Sequence, residues 1–247
     1  MAQSQSKQTL FINGNIFLSG VEPGTNAGLS RPPTFASALL ISASTIRYVG
    51  SSSSPDLDAL LAHGTETNTV DLAGRTILPG FVDGHMHFMM MGQSLNKLDL
   101  SACKSLSDIQ SAISSYAAAN PSAPRLLARG WMHSMTPSGV TATDLDGLDG
   151  DKDRPVLIDT KDLHFTWCNT AGLKELGAGD WADVPGGIIQ RDEEGKPTGL
   201  FGEAANLTYV WPHLAKVASM KERVQAIRSA VEAYHRVGYT GLVDMAM

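Results

Sequence analysis

The sequence predicts an α/β fold. Its larger part, residues 79–247, is about the first half of a (β/α)8 barrel, and its smaller part, residues 1–78, is a layer of antiparallel strands. Two observations predict this fold. Short strand-like segments separated by turn residues fill the smaller part, whereas apolar strands alternate with helical segments in the larger one, which implies a parallel sheet. The larger part is also shorter than the about 250 residues of a complete barrel.

The smaller part reads as a series of short strands. Residues 9–18 are rich in β-forming side chains around Asn13 and Gly14, a pair that predicts a hairpin turn. The other strand candidates are residues 38–42, 45–49, 70–72 and 76–78. The last two flank Ala73 and Gly74 and are expected to form a second hairpin. Segments rich in Gly, Ser and Pro predict surface loops at residues 20–33 and 50–56.

The larger part alternates strands with helices. The strand candidates are residues 81–88, 126–131, 156–160 and 239–245, and the helix candidates are residues 107–119 and 220–237. Ser107 and Gln110 are placed as a capping box for the first helix. Ser219 and Glu222 can cap the start of the second helix, and Gly238 suits its end. The second helix is expected to bury one apolar face, formed by Val224, Ile227, Val231, Tyr234 and Val237.

The chain is expected to be a portion of a longer barrel. Its last strand candidate reaches the final residues with no helix to cover it. Half of a barrel would leave open sheet edges, which favour association into a homo-oligomer. A complete, smaller α/β domain is the alternative, and the pattern of elements leaves it open.

Bulk composition excludes several classes of function. The formal net charge of −6 and the pI of about 5.6 argue against a nucleic-acid-binding surface. No run approaches the roughly 20 apolar residues of a membrane helix, and the first residues lack the features of a signal peptide. Cys103 and Cys168 are too few for a disulfide framework and fit a reducing compartment, so we expect a cytoplasmic protein.

His85 and His87 carry the main functional signal. Side chains at i and i+2 of a strand project on the same face, so two imidazoles so placed can bind one metal ion. The pair lies at the C-terminal end of a strand candidate, where barrel enzymes build their active sites. A pair of structural histidines is the alternative for a bare His-x-His motif. The preceding segment, residues 79–84, favours the metal site.

Residues 76–87, TILPGFVDGHMH, resemble the first barrel strand of the amidohydrolase superfamily. More narrowly, the chain resembles the amidohydrolase-3 branch, a YtcJ-like group that includes N-substituted formamide deformylase. Further similar segments follow in the order of that branch and cover nearly the whole chain. They are residues 129–131 (RGW), 154–156 (RPV) with His164 and 167–173 (WCNTAGL), 186–192 (GGIIQRD) with 195–200 (GKPTGL) and Glu203, and 238–244 (GYTGLVD).

The resemblance implies a β-sandwich around a (β/α)8 barrel that holds one or two divalent metals, here expected to be zinc. It also implies hydrolysis of C–N bonds in small non-peptide amides. A metal lowers the pKa of its bound water to about 7, and a carboxylate then moves the protons. By motif position, His85 and His87 are metal ligands. Glu203 is the candidate for a further ligand or for the catalytic carboxylate, with an exposed glutamate beside a helix start as its alternative.

Three more residues receive expected roles. His164 lies just beyond a strand end and is expected to contact substrate, although a core or surface histidine is equally open. Trp131 is expected to wall the pocket, with a buried structural Trp as the alternative. Asp83 is expected either to orient His85 by hydrogen bonding or to cap a turn at Gly84.

Four methionines surround the histidine pair: Met86, Met89, Met90 and Met91. Packing in the core is the simpler interpretation, because methionine is an adaptable filler of apolar space. If these side chains line the pocket instead, they favour a substrate with an apolar or aryl group.

Two departures from the branch limit the resemblance. Met132 stands where the branch often has an acidic residue, and His133 after it has no assigned role. In addition, no segment matches the later strands on which the family carries two further histidines and a catalytic aspartate. Asp244, in a strand that resembles the middle of the barrel, is not assigned to that role. We therefore expect little or no turnover from these 247 residues alone.

Two alternative functions follow. One is a catalytically inactive fragment that binds a metal or a partner. The other is a cyclic amidase such as a dihydropyrimidinase, which shares the His-x-His strand. The hairpin predicted within residues 186–203 argues against the cyclic amidase.

Overall fold

The protein is described by a computed structural model that covers residues 7–18, 33–62 and 64–245. The chain divides into two compact units, Met1–Phe81 and Val82–Met247. The predicted division after residue 78 lies close to this boundary. None of the helices in the described ranges is long and apolar enough to cross a bilayer.

Unit 1 is one mixed sheet with a short helix. Its elements are β1 (Gln8–Leu18), β2 (Thr34–Ser42), β3 (Thr45–Gly50), α1 (Pro55–Leu61), β4 (Thr67–Asp71) and β5 (Thr76–Ile77). The strand order is β3-β2-β1-β4, with β5 also paired to β1. Strands β1, β2 and β3 are antiparallel neighbours, whereas β4 and β5 run parallel to β1. The expected antiparallel layer is therefore only partly correct.

Both predicted hairpins of unit 1 are wrong. Strand β1 continues through Asn13, whose φ of 55° belongs to a bulge in the β1–β2 pairing. Asparagine tolerates this left-handed conformation in a bulge as well as in a turn. Strands β4 and β5 pair with β1 and not with each other. The turn at Ala73 and Gly74 lies opposite the bulge, and the Gly74 N–H donates to the Asn13 carbonyl.

The loops of unit 1 were predicted with mixed success. Helix α1 occupies the end of the predicted loop at residues 50–56, with Ser54 as its N-cap and Pro55 in its first turn. The predicted loop at residues 20–33 lies outside the described residues except for Pro33.

Unit 2 holds eight strands and five helices within the described residues. Its strands are β6 (Phe81–Met86), β7 (Leu98–Asp99), β8 (Leu126–Trp131), β9 (Val156–Thr160), β10 (Phe165–Cys168), β11 (Gly187–Arg191), β12 (Pro197–Glu203) and β13 (Tyr239–Asp244). Its helices are α2 (Phe88–Leu95), α3 (Leu106–Ala119), α4 (Thr170–Leu176), α5 (Trp211–Val217) and α6 (Met220–Arg236). A π-helical turn, Asn206–Val210, precedes α5.

The sheets of unit 2 are mixed in direction. The larger sheet has the order β11-β12-β10-β9-β8-β7, and β13 pairs with β6 in a second sheet. Strands β7, β8 and β9 are parallel, whereas β10, β11 and β12 join as antiparallel neighbours. The expected strands β8 and β9 are confirmed. All five residues of β9 are buried, which explains the apolar run of Val156, Leu157 and Ile158 at its start.

The main core of unit 2 lies between helix α3 and strands β8 and β9. Its fully buried members include Ile109, Ile113, Leu126, Ala128 and Ile158. The predicted capping box of α3 is wrong by two residues. Ser105 is the N-cap and accepts the Asp108 N–H at 3.2 Å, because the helix begins one residue earlier than expected.

Helix α6 begins as predicted, and it buries Tyr234 of the predicted face but not Val224 or Ile227. The capping box of Ser219 and Glu222 is confirmed. The buried residues are Ala226, Ala230 and Tyr234, whereas Val224 and Ile227 are 42% and 43% exposed.

The reason for this difference is the close approach of α2. A Cβ at Gly92 of α2 would lie 2.1 Å from the carbonyl oxygen of Ala226. Only the alanine face of α6 permits contact at that distance, and larger side chains would hold the two helices apart.

Candidate metal centre

His85 and His87 lie where strand β6 passes into helix α2. His85 is in the strand, and His87 is the N-cap residue of the helix. Their ring centroids are 5.8 Å apart, with ring planes at 84°. Both side chains line one cavity of about 1000 Å³. The structure therefore places the two imidazoles side by side on a cavity wall, as the i, i+2 spacing predicts.

The two imidazoles fit part of a divalent metal site. Neutral imidazole is a common ligand of zinc, and the edge-to-face arrangement leaves both rings on the cavity. Within the described ranges, no group of three or more His, Cys, Asp or Glu side chains lies close enough together to hold a metal ion. The described residues thus bring two candidate ligands together, without a third His, Cys, Asp or Glu close enough to complete a group of three.

Asp83 holds the backbone of His85 rather than its ring. One carboxylate oxygen accepts the His85 backbone N–H at 3.0 Å, and the other accepts the hydroxyl of Tyr234 at 2.7 Å. These two hydrogen bonds, the backbone one first, lower the pKa of Asp83. Burial, followed by the bond to Asp83, raises the pKa of Tyr234 to about 12. The bond to the His85 N–H spans Gly84, so it corresponds to the alternative in which Asp83 caps a turn at Gly84.

Glu203 and His164 form a pair of their own. The His164 Nδ1 lies 3.0 and 3.1 Å from the two carboxylate oxygens of Glu203. The Glu203 hydrogen bond, and then its charge, raises the pKa of His164. Glu203 has a φ of 53°, and its backbone N–H donates to the His164 carbonyl at 2.8 Å. Neither residue is among the described residues that line the His85–His87 cavity. The expected role of Glu203 at the metal and that of His164 as a substrate contact therefore remain predictions.

Trp131 lies in the core instead of on the cavity. Its side chain is fully buried, and its Nε1 donates to Thr136 at 3.1 Å. Its ring packs against Trp167 and against His133, whose ring also contacts Phe165. This position favours the structural alternative for Trp131 and gives His133 a place in an aromatic cluster.

Cys103 and Cys168 are both free.

The wall of the cavity is mostly apolar. Met86, Met89, Met90 and Met91 line it, which corrects the interpretation that they pack in the core. Residues of the π-helical turn and of α5, such as Leu207 and Trp211, add further apolar surface.

The polar part of the wall was not predicted. Besides the histidines, it includes Gln93 and Ser94 and four charged residues: Lys97, Arg129, Asp159 and Asp244. Asp244 also accepts the backbone N–H of Phe88 at the start of α2, at 3.3 Å.

Comparison with known proteins gives curated relatives over most of the chain. The chain is 31% identical over 225 residues to the exoenzymes regulatory protein AepA of Pectobacterium carotovorum. The alignment covers 87% of this chain and 46% of that relative. The chain is 36% identical over 143 residues to the putative amidohydrolase YtcJ of Bacillus subtilis, and the alignment covers 57% of this chain and 27% of that relative. The chain is 28% identical over 219 residues to the N-substituted formamide deformylase of Arthrobacter pascens, and the alignment covers 85% of this chain and 39% of that relative. The chain thus spans less than half the length of each of these relatives.

A solved structure and a family comparison agree with these relatives. The structure of an uncharacterized metal-dependent hydrolase from Pyrococcus furiosus matches 95% of this chain and 43% of its own chain, with a TM-score of 0.68 and 26% identity. The sequence model of the amidohydrolase family matches residues 68–247. The chain therefore belongs to the amidohydrolase family, in its amidohydrolase-3 branch.

Proposed function

We propose that the protein is a metal-dependent hydrolase of C–N bonds in small non-peptide amides, with zinc as its metal. The observation that carries the proposal is the placement of His85 and His87 side by side on one cavity wall. Membership of the amidohydrolase family supports it. So does similarity to one protein named as a deformylase of N-substituted formamides and to another described as a metal-dependent hydrolase.

We also propose that unit 2 is about the first half of a (β/α)8 barrel, and that unit 1 contributes to a β-sandwich. The parallel strands β7, β8 and β9 support the barrel, as does the position of the histidines at the C-terminal end of β6. In this proposal, strands β10 to β12 are an antiparallel insertion.

The chain's own residues would divide the chemistry among them. His85 and His87 would hold the metal, which when bound supplies a hydroxide from water at neutral pH and polarises the amide carbonyl. Asp83 and Tyr234 keep the His85 backbone in place by their hydrogen bonds. Glu203 is the proposed proton carrier or additional ligand, and His164 would hold its carboxylate in one orientation. The methionine-rich wall excludes water and favours a substrate with an apolar or aryl group.

A second candidate function is a metal-binding or partner-binding protein without turnover. Two observations favour it. Within the described residues, only two histidines of a ligand set come together. One relative is named as a regulatory protein.

The two functions are separated by an assay of metal-dependent hydrolysis. The 247-residue chain and the longest natural form of the gene product are stripped with a chelator, reloaded with zinc, and tested for amine release from N-benzyl amides. We expect hydrolysis by the longer form to vanish on stripping and to return on reloading, and we expect little turnover from the shorter chain. Zinc binding without hydrolysis by either form would favour the second function. Failure of both forms to bind zinc would contradict the hydrolase proposal and the metal-binding form of the second function.

A further inference from the structure

A buried ion pair faces the same cavity as the histidines. Lys97, between α2 and β7, pairs with Asp159 of β9, and their side chains are 15% and 7% exposed. Asp159 also accepts the hydroxyl of Thr166 at 3.1 Å. Lys97 and Asp159 both line the cavity. The charges are therefore fixed in a wall that is otherwise mostly apolar.

A second cation lies beside this pair. Arg129 of β8 is the register partner of Asp159 in β9 and of Asp99 in β7. Register partners of neighbouring strands project on the same face of a sheet. Arg129 donates to Asp99 at 2.7 Å, while its Nε is buried without a partner among the described residues. Asp159 is thus flanked by two cations, Lys97 and Arg129.

Stability alone does not explain this arrangement. Burying two charges is costly, and a buried ion pair is often no more stabilising than an apolar pair of the same size. A lysine ammonium has three N–H donors, and Asp159 is its one acceptor among the described residues. In apolar surroundings, a donor of this kind binds an oxygen acceptor more strongly than it would in water.

We infer that Lys97, positioned by Asp159, binds an oxygen acceptor that the substrate carries apart from its scissile amide. The acceptor is a carboxylate or a carboxamide, and the rest of the substrate is apolar, to match the methionines. This inference rests on the proposed function for the identity of the substrate as an amide. Lys97 is then a specificity-determining residue, and Asp159 is a positioning residue.

Calorimetric titration of the zinc-loaded chain with three matched ligands tests the inference. The ligands are N-benzylsuccinamate, N-benzylsuccinamide and N-benzyl-4-methylpentanamide, which end in a carboxylate, a carboxamide and an apolar group of similar size. We expect either acceptor ligand to bind about 10-fold or more tightly than the apolar one, the scale of a hydrogen bond to a charged group. The carboxylate and carboxamide arms show which acceptor is preferred. Equal binding of all three ligands, or binding of none, would overturn the inference.

Variants separate recognition from structural support. Lys97→Met should abolish the preference for the acceptor ligands, Lys97→Arg should retain most of it, and Lys104→Met, at an exposed site outside the cavity wall, should leave it unchanged. Because Lys97→Met leaves Asp159 unpaired, the double variant with Asp159→Asn provides a second test in a chain without either charge. If the Lys97–Asp159 pair were purely structural, Lys97→Met would lower the melting temperature and leave the preference for the acceptor ligands unchanged. No turnover is needed, so absent hydrolysis would count against the proposed function alone.

Discussion

Replacing His85 with alanine is expected to weaken zinc binding by more than about 100-fold, because even partners outside the ligand set of a metal typically contribute 10–100-fold. The described residues bring only His85 and His87 together at the cavity, so the loss of either leaves a single strong ligand there. His87→Ala should have an effect of the same size. Competition with a chromogenic chelator measures the affinity.

The matched control for these two variants is His235→Ala. His235 is an exposed histidine in the last turn of α6 and is not among the residues that line the cavity. Its replacement should leave zinc affinity unchanged. An equal affinity in His85→Ala and in the unaltered chain would mean that zinc is held elsewhere.

Replacing Arg154 with alanine is expected to destabilise the protein by about 3–5 kcal/mol, the cost of removing one partner of a buried ion pair. Arg154 is 8% exposed and donates to both carboxylate oxygens of Asp149. It also donates to the carbonyls of Ala117, Asn120 and Ala123, where α3 ends and the chain returns toward β8. Its removal leaves a buried carboxylate and three carbonyls without their donor. Urea unfolding, monitored by circular dichroism, measures the loss.

Two further variants test that explanation of the Arg154 effect. Lys196→Ala breaks an ion pair with Glu194 whose side chains are 72% and 73% exposed, and it should cost less than about 1 kcal/mol. The double variant Arg154→Ala with Asp149→Ala should recover part of the loss, because the unpaired buried charge is gone. A loss below about 1 kcal/mol in Arg154→Ala would show that this network does not hold the end of α3 to the sheet.

Local patterns predicted the elements whose signal lies within a few residues. Strands β8 and β9 are buried runs, and the start of α6 is set by Ser219 and Glu222, so short windows of sequence were sufficient. The histidine pair was also found by its local spacing of two residues, although His87 lies just beyond the end of β6 and is the N-cap of α2.

Features that depend on distant partners were not predictable in this way. The contact of Tyr234 with Asp83 joins residues 151 positions apart, and the Lys97–Asp159 pair joins residues 62 positions apart. The buried face of α6 was predicted correctly only for Tyr234, because the close approach of Gly92 in another helix favours the alanines. Asn13 was assigned to a turn because the same backbone conformation serves both turns and bulges.

Anomalous diffraction at the zinc edge, from crystals of the zinc-loaded chain, tests the metal site most directly. The expected result is one peak within about 2.0–2.1 Å of a ring nitrogen of His85 and of a ring nitrogen of His87. A peak at neither ring, or an ion bound elsewhere while the two rings face different directions, would contradict the shared metal site and remove the basis for the proposed hydrolase.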